Sequence, residues 1–289
     1  MRLVKPSDLR LKKRLHGSHK GDNGRVLVIG GSEEYVGAVA LAGLAALRSG
    51  CDWVTVAAPS KVAWAINCLT PDLVTVKLPG RCVQPDHMPL LKRLMRKHDV
   101  ILIGNGIGRS EQTASAVHMI VQSCNRDAKK MVIDADALRM IKIDEPKMAL
   151  MTPHQTEMRD LVKHSRLGLS PETNHEWERV QGKLGQNVLL LKGPTDLIVD
   201  SKRRWANKTH HPNMTVAGTG DVLAGLCAGF VAQGYPMFTS AVNGAYLNGL
   251  TGLTLARRKK PTGLIASDLV QDIRAVSDAL NKKRRIILK

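Results

Sequence analysis

The chain is predicted to fold as one doubly wound, three-layer α/β domain, with helices on both faces of a mostly parallel central sheet. Three observations carry the prediction. Short apolar runs alternate with longer helical segments throughout, and no linker, internal repeat or low-complexity tract interrupts them. Glycine-rich turns stand where several of those runs end. Hydrophobic residues make up 43% of the 289 positions but aromatics only 3%, so small residues must carry the packing, which suits helices laid closely on a parallel sheet.

Residues 1–20 are polar and basic, with Leu3, Leu9, Leu11 and Leu15 as the available anchors around a short helix. Arg25 to Gly30 reads as a buried strand, Gly37 to Ser49 as an Ala/Leu-rich helix stopped by Gly50, and Trp53 to Ala57 as the next strand. Together they form a strand–helix–strand unit of parallel type. The turn Gly30-Gly31-Ser32 lacks the Gly-Lys-Ser/Thr of a P-loop, which argues against that class of nucleotide triphosphatase. A helix over Val62–Leu69, a strand over Leu73–Leu78 and an amphipathic helix over Met88–Lys97 follow.

Asp99 to Ile103 is a buried strand that runs into Gly104-Asn-Gly106-Ile-Gly108. Alternating glycines at a strand's carboxyl end suit either a tight βα turn or a close approach of backbone to ligand. After a helix over Thr113–Cys124, the strand Lys130–Ile133 ends in Asp134-Ala-Asp136; its two carboxylates suit ligand contacts, and Asp136 would equally cap the next helix. The strand Ala149–Met151 is broken by Pro153. It leaves His154 exposed at the top of the sheet, as a structural or a ligand-facing residue, and places Glu157 in the first turns of a helix.

A loop at Leu167–Pro171, a helix over Glu172–Leu184 and a strand over Asn187–Leu191 lead to Lys192-Gly-Pro-Thr-Asp196. A lysine there is well placed to reach a phosphate. Leu197–Val199 and Trp205–Asn207 read as an antiparallel hairpin, and helices over Val222–Gln233, Ser240–Arg258 and Ser267–Leu280 finish the fold. The segment Gly218-Thr-Gly-Asp221, opening an apolar helix, has free backbone amides at the positive end of the helix dipole, with a carboxylate alongside. That suits a base taking a proton from a hydroxyl while the amides hold phosphoryl charge. A glycine turn capped by Asp221 is the plainer reading.

The formal net charge is +18, concentrated at Lys12–Arg14, Lys202–Arg204, Arg257–Lys260 and Lys282–Arg285. Such a surplus draws polyanions, nucleotides included. No zinc-finger spacing, RNA-recognition signature or helix-turn-helix pattern accompanies it, and aromatics for stacking bases are scarce, which argues against nucleic acid as the main partner. The five cysteines, at 51, 68, 82, 124 and 227, are scattered and odd in number, the pattern of free thiols in a reducing cytoplasm. No apolar run reaches the ~18 residues of a membrane span.

The set Gly24–Ser32, Gly37-Ala38, Asp134–Leu138, Thr152-Pro-His154-x-x-Glu157, Leu191-Lys-Gly193 and Gly218–Gly225 resembles the ADP/ATP-dependent NAD(P)H-hydrate dehydratases of the ribokinase-like superfamily. The resemblance runs from about His19 to Leu280. It implies a single ribokinase-like domain over residues 19–280, a basic leader over 1–18 with no fused epimerase domain, and a basic tail over 281–289. It further implies repair of the S-epimer of hydrated NADH or NADPH, in which ADP or ATP phosphorylates the ring hydroxyl and phosphate then leaves. By that resemblance Asp221 is the base, and the amides of Gly218, Thr219 and Gly220 hold the phosphoryl group. Lys192, Gly193, Pro194, Thr195 and Asp196, with Gly220, line the adenine nucleotide; Ala38, Gly106, His154 and Asp221 contact the hydrated dinucleotide. Mg²⁺ is expected for charge neutralisation, with Glu157 a candidate ligand, and a cytoplasmic homo-oligomer such as a tetramer is expected. The chain departs from the family's Gly-Asn-Pro-Gly-Met with His210-His-Pro-Asn-Met214, and from Gly-Pro-Gly-Leu-Gly with Gly104-Asn-Gly-Ile-Gly108. A small-molecule kinase of the same superfamily and a basic nucleic-acid-binding protein are the alternative readings.

Overall fold

In the computed structural model, which describes residues 1–12, 14–167, 173–258 and 263–287 with side chains to Lys282, one ten-stranded sheet runs through the chain. Its strands are β1 (Arg2–Leu3), β2 (Arg25–Ile29), β3 (Trp53–Pro59), β4 (Val74–Leu78), β5 (Val100–Ile103), β6 (Lys130–Ile133), β7 (Ala149–Met151), β8 (Val188–Leu191), β9 (Asp196–Val199) and β10 (Arg204–Asn207). Their spatial order is β1-β10-β9-β8-β7-β6-β5-β2-β3-β4. Strands β2 to β8 pair in parallel, and β9 runs antiparallel to both neighbours. The order reverses between β5 and β2, so the loops after those strands diverge and leave a crevice at their carboxyl ends.

The strands are apolar at successive positions because both faces are covered. Leu27, Ile29, Ile101, Ile103, Met131 and Ile133 point into one core, where they meet α3 (Met88–Arg96), α4 (Glu111–Arg126), α5 (Gln155–His164) and α6 (Asn174–Leu184). Val26, Val28, Val54, Val56, Val100 and Leu102 point into the other, against α1 (Val36–Ser49), α2 (Ser60–Leu69), α7 (Thr219–Ala232) and α8 (Met237–Arg258). A third cluster joins α9 (Ala266–Ile287) to α1 and α7 through Leu269, Ile273, Ala45 and Phe230.

Small residues let the helices approach closely. A Cβ built on Gly225 of α7 would collide with the backbone carbonyl of Ala42 in α1. Gly225→Ala is therefore expected to lower stability by about 1–3 kcal/mol through overpacking, read as a reduced denaturant midpoint; an unchanged midpoint would mean the two helices are free to separate.

Several helix and strand boundaries differ from expectation, among them those of α7, α9 and α6. Helix α7 begins at Thr219, not Val222, because Gly218 at φ 91° turns the chain directly into the helix. Helix α9 runs past Leu280 to Ile287: no Gly or Pro stops it, and the Lys/Arg run suits a helix. The expected 281–289 tail is thus helical as far as Ile287, while the Ile286–Leu288 anchor lies outside the described side chains. Helix α6 starts at Asn174 behind a capping box of Thr173 and Glu176; Glu172 and residues 168–171 of the preceding loop lie outside the described residues. Near the amino terminus Leu9 is buried and Leu11 packs against the third cluster, whereas Leu3 and Leu15 are exposed. The Asn243 side chain clasps the Arg10 backbone by both amide groups, at 2.9 and 2.8 Å. Among the described residues, no helix is long and apolar enough to cross a membrane.

Candidate active site

The carboxyl ends of β5, β6, β7 and β8 deliver a chain of polar side chains to the start of α7. Asp134, one residue beyond β6, is fully buried and accepts from Lys192 Nζ at 2.7 Å, Thr152 Oγ1 at 2.7 Å and Asn105 Nδ2 at 2.9 Å. Asn105 follows β5, Thr152 follows β7 and Lys192 follows β8, so four neighbouring strand ends meet on one carboxylate. The second Asn105 amide hydrogen goes to Asp221 Oδ1 at 2.7 Å. On the other side, Lys192 Nζ lies 3.8 Å from Glu157 Oε2.

His154 caps α5. Its Nδ1 accepts from the Thr156 and Glu157 amides, while Glu157 Oε2 accepts from the His154 backbone N–H at 2.8 Å. The capping box fixes Glu157 in place beside Lys192.

Asp221 sits in the first turn of α7, but its carboxylate turns away to Asn105. The helix cap is Gly218, without a side-chain hydrogen bond, so the reading of Asp221 as a mere cap is set aside. Nor does Asp136 cap its helix: the cap residue is Asp134, and Asp136 pairs with Arg109 at 2.6 Å. Gly218 occupies the left-handed region, and a Cβ there would strike both Leu41 of α1 and Ala266 of α9. The turn is thereby locked with the first amides of α7 unpaired within the helix. A Cβ on Gly220 would lie 3.4 Å from Lys192 Nζ, so the ammonium reaches over that turn.

Three carboxylates and one ammonium share this corner, and burial and mutual charge shift the titration of Asp221, Glu157 and Lys192. Burial and the nearby charge of Asp134 push Asp221 up to about 7; the Asn105 hydrogen bond and Lys192 pull the other way. Glu157 is also raised, chiefly by burial, with Lys192 opposing. Burial works against the charge on Lys192, yet Asp134 and Glu157 override it and hold its pKa above the ordinary value. The corner therefore offers a fixed cation, a permanently engaged carboxylate and a base poised near neutrality.

Beside it opens a cavity of about 530 Å³ lined by His154, Lys192, Gly193, Pro194, Asp196, Gly220 and, from elsewhere in the chain, Thr209, Met214, Leu223 and Asn248. Asp196 shapes the turn after β8 by accepting from Gly193 N–H at 3.1 Å and from Asn207 Nδ2 at 3.0 Å; burial pushes its carboxyl up to about 6. Of the residues singled out for the dinucleotide, His154 borders this cavity. Ala38 and Gly106 abut each other outside its lining, a Cβ on Gly106 falling 3.1 Å from Ala38 Cβ. Thr195 lies within the same turn without lining the cavity. Asn105, Thr209 and Asn248 were not legible as site residues: each is a single polar residue in a glycine turn, a loop or an apolar helix, with no spacing to mark it.

Among the described residues, no three His, Cys, Asp or Glu side chains gather in a way that could hold a metal ion.

An open parallel sheet whose carboxyl edge carries Gly-x-Gly-Asp at a helix start, beside a nucleotide-sized cavity, defines a ribokinase-like protein. A solved ribokinase-like superfamily protein from Enterococcus faecalis superposes with a TM-score of 0.85 at 27% identity, covering 96% of each chain. Residues 26–275 match the family model described as NAD(P)H-hydrate dehydratase, and the chain belongs to that family. It is 40% identical over 279 residues to the bifunctional NAD(P)H-hydrate repair enzyme Nnr of Methanothermobacter thermautotrophicus, covering 94% of this chain and 53% of that protein. The chain thus spans about half the length of the first curated relatives it matches. It is also 37% identical to the ADP-dependent (S)-NAD(P)H-hydrate dehydratase of Cenarchaeum symbiosum, covering 87% of this chain and 88% of that one.

Proposed function

We propose that the chain dehydrates the S-epimer of hydrated NADH or NADPH at the expense of ADP or ATP. The observation that carries this reading, given the family, is the placement of Asp221. Its carboxylate, poised near neutrality, sits in the first turn of α7, whose opening residues Thr219 and Gly220 line a cavity of adenine-nucleotide size. The nucleotide lies along Lys192 to Asp196, with its terminal phosphoryl group at the amides of Gly218, Thr219 and Gly220. The nicotinamide end of the hydrated dinucleotide reaches Asp221 from Ala38, Gly106 and His154.

Asp221 takes the proton from the ring hydroxyl as its oxygen attacks the terminal phosphorus; the new C–O–P linkage forms and AMP or ADP leaves. Lys192 and the helix start stabilise the charge that builds on the phosphoryl oxygens. Phosphorylation turns a poor leaving group into a good one. The electron-rich ring nitrogen then expels phosphate, the carbon beside the departing group loses a proton, and the ring double bond returns.

Oxygen donors suit Mg²⁺, which binds through substrate phosphates and retains several waters. Glu157 would be the protein oxygen available to such an ion, with the nucleotide's phosphates and water supplying the rest of its shell. When bound, it neutralises charge between the donor's phosphate oxygens.

The test is incubation of the chain with hydrated NADH and either ADP or ATP, following return of the absorbance of reduced nicotinamide. Asp221 works as a base only when ionised, so turnover is expected to be full above pH 7 and to fall as pH drops through about 7. No recovery with either donor would sink the reading, and a stable phosphorylated product without recovery would point to a small-molecule kinase instead.

A further inference from the structure

Asn105 stands where the family motif commonly reads proline, so the motif assigns it no part. It is nevertheless wholly buried, and its single side-chain amide nitrogen donates to both Asp134 Oδ2 and Asp221 Oδ1. From these contacts we infer that Asn105 is a positioning residue, a two-pronged donor that holds the Asp221 carboxylate in its proton-accepting orientation and couples it to the Asp134–Lys192 pair. The inference rests on the dehydratase reading for its kinetic consequence but not for its geometry.

Three features support it. The amide can be oriented in only one way, because turning it over would point its oxygen at two carboxylates. Its Oδ1 is buried with no hydrogen-bond partner among the described residues, so nothing on that side chooses the orientation; the carboxylates do. The backbone of the same residue is pinned as well, its carbonyl accepting from Gly31 N–H at 2.9 Å, so the side chain starts from a fixed point. A buried amide with an unsatisfied oxygen costs stability, a cost that a purely structural turn would avoid by carrying an apolar residue.

The groups facing Asp221 set the direction of the effect. Asp134, beyond β6, and Glu157, on α5, disfavour its ionised form. Lys192, beyond β8, and Asn105, beyond β5, favour it. Removing the Asn105 donor takes away one of the two favouring groups and leaves Asp221 free to swing.

The experiment uses Asn105→Ala and Asn105→Leu, the second nearly preserving the buried volume. The Asp221 side chain is titrated by carbon NMR of the carboxyl group in both variants and the wild type, without substrate. The carboxyl is expected to titrate about one unit higher in both variants, the order of effect of one hydrogen bond to a charged group. With hydrated NADH and a nucleotide, kcat is expected to fall roughly ten- to a hundredfold, with KM for the nucleotide little changed and the acidic limb displaced upward by the same interval. An unchanged Asp221 titration, or a lowered melting temperature with kcat and its pH limb both unmoved, would overturn the proposal. A wild type that titrates as expected but shows no turnover would overturn the dehydratase reading and leave the coupling of Asn105 to Asp221 standing.

Discussion

Asp221→Asn is expected to reduce turnover of hydrated NADH by three or more orders of magnitude while leaving nucleotide affinity within a few-fold of the wild type. The asymmetry follows from position. On the proposed reading the carboxylate takes the proton of the hydroxyl, and it is absent from the lining of the cavity beside it. Stability should move the other way. Burial lifts the folded-state pKa of Asp221 from the ordinary aspartate value of 3.8 to about 7, so the folded chain holds a proton that the unfolded chain has released between those values. Over that window the group's contribution to stability falls as pH rises, and above pH 7 the full penalty of burying the charge is present. The amide variant escapes the penalty and should melt no lower than the wild type at pH 8. Calorimetric titration with ADP or ATP, single-turnover kinetics and a melting curve measure the three quantities separately. Equal loss of binding and turnover would mean that Asp221 serves the turn rather than the reaction.

Lys192→Met is expected to damage both fold and function. The ammonium is, among the described residues, the one cation bonded to the buried Asp134 carboxylate, and it also lies within reach of Glu157. Taking one partner from a buried pair leaves the other charge uncompensated and costs about 3 kcal/mol or more, seen as a lowered denaturant midpoint. Nucleotide affinity should fall as well, because the same ammonium borders the cavity and reaches over Gly220. A double variant carrying Asp134→Asn separates the two losses. Its stability should recover substantially, since the orphaned charge is gone, while turnover should not. A single variant as stable as the wild type would show that the pair is not the keystone of this corner.

Much of this architecture can be read from the residues alone. The alternation of apolar strands with helices predicts the layers, and the glycine turns predict which sheet edge carries the site. The strand starts and ends that the composition suggests fall within a few residues of those observed, as at Lys130–Ile133 and Ala149–Met151. Where the reading falls short, long-range contacts decide. Nothing local tells Asp221 to turn from its own helix cap toward Asn105, 116 positions away in sequence. Nor does a polar residue between two glycines announce that it bridges two acids. The end of α9 shows the opposite limit: a run of lysines and arginines reads as a solvated tail, yet helix propensity carries it to Ile287 in the absence of a stop signal.

The turn before α7 has one more consequence. Leu41 and Ala266 press on Gly218 from behind, from two helices that otherwise serve the core. On the proposed reading, the turn that would receive phosphate is therefore moulded by two residues that do not line the cavity. Enlarging either of them would press on that turn, so a substitution in α1 or α9 can reach the proposed anion site without touching its lining.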